Sequence, residues 1–158
     1  MNNDTITIDK TPPSIFNDVI GPVMRGPSSS HSAAAYRIGK LVKELMSCTI
    51  EEIKFTYNQQ GSLAYTHTTQ GSDMGFFGGL LGLSPADEKL LNTDKLIAES
   101  GIKISHRIYD FGNEHPNTYR INVAGLNCLH KIKAISTGGG MIEIQEIDNI
   151  PTKLHGDL

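Results

Sequence analysis

The sequence predicts an α+β domain, and three observations predict it. Apolar residues recur at helical spacing through the first hundred positions. After Gly101 the period changes to two. Clusters of glycine, proline and serine cut the chain between these stretches. A mixed sheet with helices packed on one face is the architecture such an order suggests.

The elements follow in turn. Residues 1–13 read as a disordered leader ending at Pro12-Pro13. Ser14 caps a short helix over Ile15–Ile20, which Gly21-Pro22 stops. The densest punctuation follows, Gly26-Pro27-Ser28-Ser29-Ser30-His31-Ser32. A longer helix comes next, because Ile38, Leu41, Val42, Leu45 and Met46 form one apolar stripe. Ile53, Phe55 and Tyr57 alternate as a strand. Gly61 opens a helical stretch with Leu63, Ala64 and Tyr65, broken at Thr69–Asp73. Ser72 or Asp73 caps another through Phe76, Phe77, Leu80 and Leu81, closed by Gly82. Gly78-Gly79 is costly inside a helix unless something packs closely there. Ser84-Pro85 is a turn, and 93–100 is a helix capped by Thr93 and ended by Gly101. Strands follow around Ile102–Ile108, Tyr119–Val123, Leu129–Ile135 and Ile142–Ile144. One domain over 14–150 is expected, with 151–158 a linker or the start of a further strand or domain.

Composition bounds the function. A chain of 158 residues suits one core, and 38% hydrophobic with 20% charged residues is ordinary for a soluble protein. A net charge of −3 gives no argument for nucleic acid. No apolar run approaches the roughly 20 residues of a membrane span, and Met1–Pro13 lacks the features of a signal peptide. A cytoplasmic location is expected. Cys48 and Cys128 are far apart in sequence, and two reduced, partly buried thiols are the expectation.

Four segments are candidates for chemistry. At Gly26–Ser32 a helix start offers unpaired amides and the positive end of the helix dipole, three serines add hydroxyls, and His31 exchanges protons near neutral pH. A plain serine cap beside an exposed histidine explains the same residues. At Gly71-Ser72-Asp73, glycine admits a ligand to the backbone and Asp73 orients a histidine or binds an amine; a helix cap is the simpler reading. His115-Pro116-Asn117 is either a polar site or a turn into a strand. Ser136–Gly140 is either an anion nest or a hairpin turn. His67, His106 and His130 stand alone. No metal-ligating pattern is present, and no nucleotide-binding one.

Taken together and in this order, these segments resemble the beta half of the iron–sulfur L-serine dehydratases. The resemblance rests on Gly26-Pro27-Ser28-Ser29-Ser30-His31, Gly78-Gly79-Leu80-Leu81-Gly82, His115-Pro116-Asn117-Thr118 and Gly138–Ile144, with Ser14-Ile15-Phe16 and Gly21-Pro22-Val23-Met24 in support. It covers roughly residues 14–150. It implies an oligomeric ammonia-lyase converting L-serine to pyruvate and ammonia. Its [4Fe–4S] cluster would be held by cysteines of a separate alpha half, consistent with a chain whose two thiolates cannot fill four cluster positions. It implies a fold similar to the allosteric substrate-binding domain of phosphoglycerate dehydrogenases, and a homodimer. On the same resemblance, Ser28, Ser29 and Ser30 bind substrate together with Gly71, Ser72 and Asp73, and His31 is catalytic. The sequence departs from the pattern at Gln70, where the family carries a histidine; glutamine exchanges no proton near pH 7. A different substrate, a changed proton path and a non-catalytic module that binds a small anion or amino acid are each open on this evidence.

Overall fold

The computed structural model describes residues 23–156, so the expected leader and the helix over Ile15–Ile20 lie outside the described residues. In chain order the elements are α1 (Ser29–Leu45), β1 (Ile50–Asn58), α2 (Leu63–Thr66), α3 (Ser72–Leu81), a 3-10 turn (Glu88–Asn92), α4 (Thr93–Ser100), β2 (Lys103–Tyr109), β3 (Thr118–Gly125), β4 (Cys128–Gly138), β5 (Met141–Ile147) and β6 (Ile150–Gly156). The six strands form one mixed sheet in the order β2-β1-β3-β4-β5-β6. Only β1 and β2 pair in parallel, across the long helical crossover. The other neighbours pair antiparallel.

The helices cover the sheet through a contiguous apolar layer. Alternation turns Ile53, Phe55 and Tyr57 of β1 inward, beside Tyr119, Ile121 and Val123 of β3. From α1, Ile38 and Val42 are fully buried, while Leu41, Leu45 and Met46 are only partly buried against the core. Ala34 and Ala35 widen the buried stripe on its N-terminal side.

The pair Gly78-Gly79 has a packing reason. A Cβ on Gly79 would overlap the Tyr36 carbonyl oxygen of α1. One on Gly75 would overlap the Ser32 carbonyl oxygen, and one on Gly39 the Phe76 carbonyl oxygen. The two helices therefore approach backbone to backbone, and α1 is seated directly on α3. Gly82 ends α3 in the left-handed conformation, φ 75°, as its position predicts.

The structure corrects several expectations. Asn92, not Thr93, occupies the cap position of α4; Thr93 is the first helical residue, its hydroxyl donating to the Leu90 carbonyl at 3.1 Å. The 3-10 turn before it is capped by Asp87, whose side chain accepts from the Lys89 amide at 2.9 Å. Of the readings open for the C-terminal stretch, the further strand is the one observed: residues 150–156 form an edge strand of this sheet, paired with β5. Cys48 and Cys128 are joined as a disulfide rather than being two free thiols, with Cα atoms 6.5 Å apart. They meet because Cys48 lies just before β1 and Cys128 begins β4, on either side of the end of β3, where Gly125 leaves room for the Cys48 sulfur.

Strand register gathers the connecting loops. Asn58 pairs with Tyr109, Thr56 with Arg120, Thr118 with Ile135 and Gly138 with Met141. The ends of β1 and β2, the start of β3 and the β4–β5 turn thus share one end of the sheet. Arg37 of α1 ties the start of that helix to the same end, donating to the Gly140 carbonyl and to the Met141 sulfur.

Candidate functional site

Two helix starts lie at this end, and they differ. At α3 the amides are spent locally. Gly71 donates to the Thr68 carbonyl at 3.2 Å, and Ser72 and Asp73 donate to the His67 carbonyl at 2.8 and 3.2 Å. At α1, helix geometry leaves the first-turn amides of residues 29–31 without an intrahelical acceptor, with Ser32 the first to donate, to the Ser28 carbonyl at 2.9 Å. Ser28 holds the N-cap position, φ −137° and ψ 105°, yet its hydroxyl caps no amide. It lies 2.8 Å from Nδ1 of His31 and 3.4 Å from the Ser30 hydroxyl. A plain capping serine would bond the second or third amide of the helix. Here the Ser28 hydroxyl is turned to the histidine instead.

The loop Gly26-Pro27 and the turn at Gly71 close over the same spot. Gly71 adopts φ +80°, and a Cβ there would sit 2.6 Å from the Ser32 hydroxyl oxygen and 3.0 Å from the Pro27 ring. A Cβ on Gly26 would overlap the same hydroxyl and come within 2.9 Å of Met74. Ser32 is fully buried, and its hydroxyl is one of two buried side-chain polar atoms without a hydrogen-bond partner among the described residues. An unpaired buried hydroxyl costs about 1–3 kcal/mol. The fold keeps this one where the first two sequence candidates converge.

Ser72 and Asp73 point inward. The Tyr119 hydroxyl donates to the Ser72 hydroxyl at 3.3 Å, and Ser72 is 1% exposed. One Asp73 carboxylate oxygen lies 2.7 Å from Nδ1 of His67 and accepts from the Thr68 hydroxyl at 2.9 Å. The His67 ring stacks on His106, centroids 4.4 Å apart, and packs against Tyr57 at 5.1 Å. Burial lowers the His106 imidazole from its ordinary value, and His67 lowers it further against the pull of Asp73. Burial raises the Tyr57 phenol well above its usual range, and the Asp73 charge adds to this. Burial pushes Tyr119 up to about 12, so both phenols keep their protons at neutral pH.

The remaining two candidates resolve as framework at the same end. Asn117 accepts from the Ser62 hydroxyl at 2.9 Å, and its amide donates to Nδ1 of His115 at 3.2 Å. Gly61 passes under the Pro116 carbonyl, where a Cβ would collide. The glycines 138–140 are a hairpin turn, all at positive φ, anchored by Arg37.

Sequence reasoning named as candidates the α1 start and the Gly71 turn, which the structure brings together. It missed Ser32 as the buried atom between them, and it missed the pairing of His67 with His106. One signal was present for the latter: in Ile104-Ser105-His106-Arg107-Ile108, alternation places His106 on the face of the two isoleucines.

One end of the sheet thus brings together a helix start, a histidine held by a serine and a buried hydroxyl without a partner among the described residues. Comparison with known proteins shows what the chain is similar to. No family model matches the chain. It is 38% identical over 144 residues to the probable L-serine dehydratase, beta chain, of Bacillus subtilis (strain 168), covering 91% of this chain and 64% of that protein. It is 31% identical over 142 residues to the L-serine dehydratase, beta chain, of Peptoniphilus asaccharolyticus, covering 89% of this chain and 63% of that protein. The chain is thus similar to the beta chains of L-serine dehydratases over about nine tenths of its own length. It spans less than two thirds of the length of these curated relatives.

Proposed function

We propose that this chain is the beta half of an L-serine dehydratase, forming pyruvate and ammonia from L-serine together with a separate alpha half. The observation that carries the proposal is the diverted cap. Ser28 holds His31 instead of an amide, which leaves the first turn of α1 open to the substrate carboxylate. The amides of residues 29–31 and the hydroxyls of Ser28, Ser29 and Ser30 bind that carboxylate. The α1 dipole favours its charge. Gly71 forms the opposite wall, where any side chain would fill the space beside Ser32 and Pro27. Ser72 and Asp73 set that wall from below. His31, steered by Ser28, accepts or delivers a proton at the bound amino acid.

The residues of this chain do not fit a [4Fe–4S] cluster. Such a cluster takes four thiolates, and the two cysteines here are bonded to each other. In this proposal the cluster is held by the alpha half, and no step at this chain's residues depends on its geometry. A homodimer of this chain and a cytoplasmic location are part of the proposal. No described helix is long and apolar enough to cross a membrane.

Gln70 favours a second reading, a binding module that senses a small carboxylate or amino acid without turning it over, since glutamine supplies no proton near pH 7. An anaerobic assay of pyruvate from L-serine separates the two. The chain alone is expected to be silent, and the chain with a cluster-loaded alpha half is expected to turn over. Gln70→His should raise that rate by about tenfold or more, because a positioned proton donor contributes about 10²-fold or more. Silence of both proteins in every combination selects the binding module.

A further inference from the structure

We propose that His67, Asp73 and His106 form a binding site for a divalent first-row metal ion of the Zn²⁺ type. They come from three elements, the neighbouring α2 and α3 and the distant strand β2. His67 is the C-cap residue of α2, Asp73 lies in the first turn of α3, and His106 is in the middle of the edge strand β2. One ligand atom from each lies within 4.8 Å of the other two. Two imidazole nitrogens and a carboxylate oxygen are the donors such ions select.

The donors are held as metal ligands usually are. The Asp73 carboxylate is kept in place by the Thr68 hydroxyl at 2.9 Å, the kind of outer contact that orients a ligating carboxylate. The imidazoles rest on an aromatic floor. His106 stacks on Phe55 with centroids 5.1 Å apart, and His67 packs on Tyr57 at 5.1 Å. In the free protein Nδ1 of His67 lies 2.7 Å from the carboxylate oxygen. An ion entering between them leaves the ring proton on Nε2. Donors on a tetrahedral ion with bonds of about 2.1 Å stand about 3.4 Å apart. The closure needed is a small shift of side chains, with His106 entering from the outermost strand, β2. Three protein donors leave a coordination position for water or a ligand, as in sites that do chemistry rather than hold a fold.

The inference does not rest on the dehydratase reading, because its test reads metal binding and not turnover. Calorimetric titration of the metal-free full chain with Zn²⁺ is expected to show one equivalent bound. Co²⁺ in the same protein is expected to give the visible absorption of a low-coordinate mixed nitrogen–oxygen site. His106→Ala, at an exposed position, should weaken Zn²⁺ binding at least tenfold and abolish the Co²⁺ spectrum. His130→Ala, at the separate pair with Asp148, should leave both intact. Asp73→Asn provides a second loss, with circular dichroism confirming the fold. No stoichiometric binding of Zn²⁺, or binding that His106→Ala leaves unchanged, overturns the assignment.

Discussion

Replacing Gly79 by alanine is expected to lower the free energy of unfolding by about 3 kcal/mol. Two effects of opposite sign meet at this position. Alanine is the better helix former, by about 1 kcal/mol. Against that, the new Cβ would overlap the Tyr36 carbonyl oxygen and come within 2.8 Å of the Lys40 amide nitrogen. Both contacts are to the backbone of α1, which no side-chain rotation relieves. The helices must separate, and the separation is felt at the other end of the same interface, where Gly75 lies against Ser32. Urea unfolding measures the effect. Lys95→Ala, on the exposed surface of α4, should change stability by less than about 0.5 kcal/mol in the same experiment. A Gly79→Ala protein as stable as the wild type would mean that α1 does not sit directly on α3.

His31→Ala should cost the reconstituted enzyme about 10²- to 10⁴-fold in turnover of L-serine, the usual worth of a positioned proton-transfer group. On the proposed reading the loss should fall on kcat more than on KM, because that reading gives the carboxylate to other atoms. Ser28→Ala keeps the imidazole but removes the hydroxyl 2.8 Å from its Nδ1. A smaller loss, about tenfold, is expected, since the ring then samples other orientations. Equal, small effects from both variants would assign His31 a structural role.

Much of the fold was legible because each element obeyed its own period. The stripe of α1, the alternation of β1 and the glycines that stop α3 and α4 all act locally. The parallel pairing of β1 with β2 was not legible. It joins segments separated by three helices, and nothing in Ile102–Ile108 records its partner. The disulfide escaped for the same reason, because Cys48 meets Cys128 only after β1 and β4 have both paired with β3. At the site, the serine run announced a helix start. Whether those hydroxyls cap the helix or serve something else depends on one rotamer, that of Ser28, which sequence does not encode. Gly75 read as helix punctuation, whereas it lets the backbone of α3 meet that of α1 at Ser32, and Gly71, a turn glycine at φ +80°, also leaves room for the Ser32 hydroxyl.

The most direct test of the carboxylate cradle is the KM for L-serine of the reconstituted complex carrying Ser30→Ala. Ser30 is half-buried, and among the described residues its hydroxyl lies 3.4 Å from that of Ser28, so its loss should leave the fold intact. A hydrogen bond to a charged group contributes about 1.5–3 kcal/mol. The account therefore predicts a KM raised about tenfold or more, with kcat changed far less. A KM equal to that of the wild type would contradict it and place the substrate carboxylate elsewhere.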